Sequence, residues 1–162
     1  MEVPIRVRTM FVVAILMLVA ALPARAALSP LNGLHYLVGT WNCTYVGGGE
    51  RLTYANTYAY DNNGHILRQV TSSSLGGDEE LLTYDAKQPG WAAVVFDDRG
   101  NTTVMRASGS DPNHIAYHSS YPDTSLATTF DRVSATEYTL HGKYRAGGKT
   151  ITSVDRCVRV GH

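Results

Sequence analysis

Residues 37–45 read LVGTWNCTY: Leu37, Val38, Gly39, Thr40, Trp41, Asn42, Cys43, Thr44 and Tyr45. A glycine stands two positions before a tryptophan, and the tryptophan two before a cysteine. The chain has one other cysteine, Cys157, near its end. Residues 38–46 carry the β-branched and aromatic content of a strand, and so do residues 150–160 around Cys157. A disulfide needs its two Cα atoms within about 7 Å. A Cys43–Cys157 bridge therefore sets the first strand against the last. With the cysteines directly opposed in an antiparallel pair, Trp41 faces Arg159 and Tyr45 faces Asp155. Side chains alternate, so all six share one face of the ladder. The Arg159 guanidinium can then lie over the Trp41 indole.

Between these ends, runs of β-branched and aromatic residues alternate with turn residues. Strands are expected over residues 38–46, 51–60, 65–73, 79–85, 91–96, 102–107, 114–121, 125–133, 137–145 and 150–160. Leu31, Leu34 and Leu37 recur at helical spacing and predict a short turn of helix before the first strand. The connections have no room for crossover helices, so neighbouring strands run antiparallel. A meander this long exposes two edges unless it closes on itself. The expected fold is all-β: a single antiparallel up-and-down meander β-barrel of about 8–10 strands, preceded by a short N-terminal helical turn. A two-sheet sandwich would need at least one long connection, and the sequence has none.

The first residues have a different character. Arg6 and Arg8 precede an apolar run over residues 11–22, and Ala24-Arg25-Ala26 supplies small residues around a cleavage point. That is the layout of a secretory signal peptide. The run is too short for a spanning helix, which needs about 20 apolar residues. Residues 1–26 are read as the leader and residues 27–162 as one domain, without a stable membrane anchor. The whole chain is neutral, with 14 basic and 14 acidic residues. Losing Arg6, Arg8, Arg25 and Glu2 leaves it weakly acidic, which argues against a nucleic-acid partner. Two cysteines in an exported chain point to one disulfide and to a secreted or periplasmic location.

Gly39-Thr40-Trp41, on a first strand after a short helix, resembles the Gly-x-Trp signature of the calycins, the lipocalin and fatty-acid-binding-protein superfamily. Arg159 matches by position the late-strand arginine that packs across that tryptophan in lipocalins. With the Tyr84-Asp85 turn and the Trp91 strand, the pattern also looks like lipocalin-like bacterial proteins of unknown function (the DUF1579 type) and, more distantly, the ten-stranded nitrobindins. Lipocalins often carry a helix before the last strand, and none is evident here. The resemblance implies an apolar cup for a small ligand.

Tyr54, Tyr58 and Tyr60 alternate on one expected strand, and Tyr117 and Tyr121 on another. Aromatic walls with polar tips suit a ligand cavity, although tyrosine is also simply a good strand residue. With Trp91 and Arg106, the residues Tyr54, Tyr58, Tyr60 and Tyr117 form the candidate binding set. An inward Arg106 would receive an acidic headgroup with Arg159; an outward one would be a surface charge.

A haem barrel of nitrobindin type would need an inward axial histidine. His65 is the best placed and His141 next, but no spacing supports haem, and no cofactor is expected. His114 and His118 lie about 13 Å apart along one strand, too far for one metal. Asp78-Glu79-Glu80 and Asp97-Asp98 fall at expected turns, where acids are ordinarily solvated. No nucleophile elbow or phosphate loop occurs, so no catalytic residue is assigned.

The expected function is binding of a small apolar or amphipathic molecule inside the barrel. The alternatives are an enzyme using the same cavity and a structural module with a filled core. Peptide mapping of the exported protein without reductant should recover an N-terminus at Ala27 and a Cys43–Cys157 cross-link. Free thiols in that material would refute the closure argument.

Overall fold

The computed structural model describes residues 29–122 and 125–161, and the expected leader lies outside them. The chain enters through a 3-10 helix, Pro30–Leu37. Proline suits the first helical position, where its missing N–H would be unpaired in any case. The Ser29 hydroxyl accepts a hydrogen bond from the Leu31 amide at 3.3 Å. Leu31, Leu34 and Leu37 fall on one side of this helix and are buried.

Ten antiparallel strands follow: β1 (Gly39–Gly47), β2 (Glu50–Asp61), β3 (Ile66–Ser73), β4 (Gly76–Asp85), β5 (Gly90–Asp97), β6 (Thr102–Ser108), β7 (His114–Tyr121), β8 (Ala127–Arg132), β9 (Glu137–Ala146) and β10 (Lys149–Arg159). Each pairs with its sequence neighbours, and β1 pairs with β10, so the sheet is a closed barrel. The meander and its closure are those the sequence predicts. Trp41 pairs with Arg159, Cys43 with Cys157 and Tyr45 with Asp155. Cys43 and Cys157 are disulfide-bonded across this pair, with Cα atoms 4.1 Å apart. The bridge encloses a sequence separation of 114. In the chain-entropy account a loop that long stabilises by roughly 4–5 kcal/mol.

The two barrel ends differ. At one end the helix lies across the opening, and Leu31, Leu34, Leu37, Trp41, Trp91 and Tyr138 are almost wholly buried. Aromatic rings interlock there: Tyr138 meets Trp41 edge-on at 4.9 Å and stacks on Phe130 at 5.1 Å. The Trp41 indole N–H donates to the Leu37 carbonyl at 2.7 Å. Arg159 crosses over Trp41, its guanidinium carbon 4.6 Å from the ring centroid. It donates from one nitrogen to the Val38 carbonyl at 2.8 Å and from the other to the Tyr36 carbonyl. One side chain thus straps the helix end to the barrel seam and covers the indole.

This arrangement explains the glycine of Gly-x-Trp. Gly39 has φ +123°, and a Cβ placed on it would lie 2.9 Å from an Arg159 guanidinium nitrogen. A larger residue is disfavoured by both its backbone conformation and its neighbour.

One departure concerns β7. Its register against β6 shifts between Val104 and Met105, where Met105 pairs with Ser119 and Val104 with Tyr121. The extra residue reverses the alternation. Tyr117 points inward, whereas Tyr121 is 59% exposed rather than on the same interior face.

Arg159→Lys should lower unfolding stability by about 1–3 kcal/mol, because an ammonium cannot lie flat on the indole and also reach two carbonyls. Gly39→Ala should cost a similar amount. Urea melts of both variants test this, and wild-type midpoints would remove the strap from the account of closure.

Candidate functional site

The end of the barrel opposite the helix is open. Behind it lies a cavity of about 580 Å³. Leu34 and Leu37 of the helix are among its lining residues, together with Tyr58 and Leu67. The rim carries Leu75, Asp98 and Arg99 from the β3–β4 and β5–β6 turns.

Strand parity divides the wall by chemistry. On β6 to β9 the cavity is lined by a mostly apolar set, Met105, Ile115, Tyr117, Thr128, Phe130, Leu140, Gly142 and Tyr144, with Leu126 just before β8. On β2 to β4 the lining residues include Asn56, Gln69, Thr71, Asp78 and Glu80. The polar groups are largely tied together. Gln69 donates to the Thr71 hydroxyl at 3.0 Å, and Thr71 donates to Asn56 Oδ1 at 2.9 Å. Asn56 Nδ2 donates to the Tyr138 hydroxyl at 3.1 Å, which lies 2.9 Å from the Tyr58 hydroxyl. On the β1–β10 side, the Tyr54 hydroxyl donates to Asp155 Oδ1 at 2.9 Å.

Two lumen groups stand outside this network. The Tyr117 hydroxyl is buried with no hydrogen-bond partner among the described residues. Glu80 pairs in register with Gln69 on one side and Val95 on the other. Burial in the barrel pushes its carboxyl up to about 7, with the neighbouring Asp78 charge adding to the effect. Asp78 is raised by its own burial, partly offset by the Thr71 hydroxyl. Asp155 is raised by burial and partly relieved by Tyr54. The Glu80 charge in turn acts on Tyr58, Tyr117 and Tyr138, and burial with such neighbours pushes the Tyr138 phenol up to about 12.

A known structure shares this fold. The S-type phycobiliprotein lyase CPES from Guillardia theta superimposes with a TM-score of 0.55 at 10% identity, over 84% of this chain and 95% of that one. A redesigned β-barrel matches with a TM-score of 0.40 at 11% identity, over 83% of this chain and 98% of that one. At such identities the likeness is one of fold alone. No family model matches the chain, and no curated protein does.

Of the residues singled out in the sequence, Tyr54, Tyr58 and Tyr117 line the cavity. Tyr60 does not. It is part of the closed end, its hydroxyl donating to the Leu31 carbonyl at 2.8 Å and its ring stacked on His35 at 5.9 Å. Trp91 is fully buried beside Tyr84, and its indole N–H has no partner among the described residues. Arg106 faces outward and pairs with Asp85 at 3.2 Å. Its parity opposes that of the inward Met105 and Ala107, so it cannot reach a headgroup in the lumen. Trp91 and Arg106 instead border a separate outer recess of about 340 Å³ with His114 and His118. His65 and His141, the histidines best placed for a haem if one were held, are both exposed. His65 follows a tight turn at Asn62–Gly64 and precedes β3. His141 alternates with the inward Leu140.

The acids also need correcting. Asp78 and Glu80 are not turn residues. The β3–β4 turn is tighter than Gly76-Gly77-Asp78 suggests, since Ser73 already pairs with Gly76. Asp78 and Glu80 therefore belong to β4, with the parity of the buried Leu82, while Glu79 points out and meets Arg68 at 2.7 Å. Counting back from Leu82 in steps of two would have placed both acids inside. The same count from Leu67 reaches Gln69 and Thr71.

Glu80 binds a proton up to about pH 7 in the fold and up to 4.5 in the unfolded chain. The folded state therefore holds more protons across that window, and its stability falls as pH rises through it. Glu80→Gln should be more stable than the parent at about pH 8, by on the order of 2–3 kcal/mol, and should flatten the decline. Asp78 and Asp155 keep some slope in the same direction. Denaturant melts of parent and variant on both sides of the window check this, and equal stability at the higher pH would mean a well-solvated Glu80.

Proposed function

We propose that the protein binds a small amphipathic molecule in the barrel lumen. The observation that carries this reading is the open cavity of about 580 Å³, with an apolar wall facing a polar one. Small-molecule sites commonly enclose about 300–1,000 Å³ of mostly apolar surface with a few convergent polar groups. A filled structural core is disfavoured by the same volume. The solved neighbour of this fold is a phycobiliprotein lyase, a precedent for a similar barrel that acts on another molecule. Asn56, Thr71 and Tyr58 present a fixed polar network to a ligand, with the Tyr138 hydroxyl behind them.

The site of action is an oxidising compartment, the periplasm or the extracellular space. The disulfide supports this, as does the leader expected over residues 1–26. Among the described residues no helix is long and apolar enough to cross a membrane.

Native mass spectrometry of protein taken from its own source should reveal a retained small molecule at one per chain. A neutral environment-sensitive naphthylamine dye should bind the emptied protein at the same stoichiometry and be displaced by that molecule. Thr128→Trp, which fills the lumen from the β8 wall, should weaken dye binding at least tenfold without loss of fold. Undiminished binding in that variant would move the site out of the barrel.

A further inference from the structure

The lumen carries a strong bias of charge. Its described lining residues include Asp78, Glu80, Asp97, Asp98 and Asp155, against Arg99 as the basic residue at the rim. Several of these acids are already engaged. Asp97 accepts from the Asn101 amide and side chain at 2.7 Å and organises the β5–β6 turn. Asp155 accepts from Tyr54, and the Thr71 hydroxyl lies by Asp78. Glu80 makes no hydrogen bond or ion pair among the described residues, although it lies well inside the barrel.

The second observation lies on the opposite wall. Tyr117 is 6% exposed, lines the same cavity, and its hydroxyl has no partner among the described residues. Buried polar groups are ordinarily paired, and leaving one unpaired opposes folding. Glu80 and Tyr117 line the same cavity, from β4 and β7 respectively. Together they offer an anionic acceptor and a hydroxyl acceptor to whatever lies between them. The group that satisfies both is a nitrogen with several N–H donors and a positive charge. The apolar surface of Met105, Ile115, Phe130 and Leu140 remains for a hydrocarbon body.

We propose that the lumen selects amphipathic cations, molecules with a protonated amine or related N–H cation on an apolar body, and that Glu80 and Tyr117 receive the cationic nitrogen. This deepens the small-molecule reading above and rests on it. Fatty anions of the same length are excluded by Asp78, Glu80 and Asp155.

The test is a matched series with one ten-carbon chain: decylamine, decanol and decanoate. Each is titrated calorimetrically into the emptied full-length protein at about pH 8, below its aggregation threshold. Decylammonium should bind at least about tenfold more tightly than decanol, the scale of one buried charge-assisted hydrogen bond. Decanoate should bind more weakly than decanol. Glu80→Gln should bring decylammonium to within about threefold of decanol, and Tyr117→Phe should weaken decylammonium about three- to tenfold. Equal binding of decanol and decylammonium by the parent overturns the inference and leaves the cavity reading standing. So does a preference for decylammonium that survives Glu80→Gln. Failure of all three to bind overturns both readings.

Discussion

Closure of the barrel depends on one side chain meeting three groups. Arg159 lies on the Trp41 ring, and its guanidinium donates to the carbonyls of Tyr36 and Val38. Those carbonyls end the 3-10 helix, where backbone acceptors have no partner within the helix. Trp41 in turn donates to Leu37, so the same junction holds the helix from both sides. The disulfide sits two residues away on each strand and keeps the seam in register. Gly39 is the small residue that makes room for the guanidinium. Helix, seam and register are thus a single constraint, distributed over residues that are distant in sequence.

The cavity follows from that constraint. A barrel of about eight strands has an interior that side chains can nearly fill, and diameter grows with strand number. Ten strands enclose more volume. At the closed end the surplus is taken up by Trp41, Trp91, Tyr138 and the three leucines of the helix. No comparable plug is described at the other end, where the inward residues Gly142, Ser153 and Thr128 are small. Packing is therefore polarised along the barrel axis. The seam end has interlocked rings and supplies stability, and the open end has spare volume and unpaired polar groups.

Most of this architecture was legible before any coordinates, because it depends on period and covalent chemistry. Two cysteines and a strand period of two determine which residues meet Trp41, and turn residues mark ten strands to within a few positions. The site was less legible, for reasons that differ from strand to strand. Residue types typical of a turn do not by themselves mean exposure to solvent. Gly76-Gly77-Asp78 resembles a loop, yet the ladder begins at Gly76 and carries Asp78 and Glu80 into the lumen. Tyr121 fails for a different reason, since a bulge shifts parity in a way no local pattern announces. The sequence leaves Arg106 open to either face, and His65 has the parity of Leu67 but stands just before β3 begins at Ile66. Counts in steps of two anchored on Leu82 and Met105 place Glu80 inside and Arg106 outside.

The position of Glu80 bears on function through what the fold does not require. A carboxyl held in the lumen without a partner opposes folding wherever it is ionised. Nothing in the closure uses it: the seam is held by Arg159, Trp41 and the disulfide, all at the far end. The surface acids behave differently, as Glu79 and Glu137 are matched with Arg68 and Arg156 on the outside of the sheet. Glu79 and Glu137 have arginine partners on the outer wall, whereas Glu80 has no such partner among the described residues of the lumen. Local rules of a good fold are broken most readily where a site needs them broken. The unpaired acid and the unpaired phenol occupy the same lumen, beside apolar surface with no side chain to cover it. A bound molecule with a cationic head and a hydrocarbon body would supply each missing partner at once.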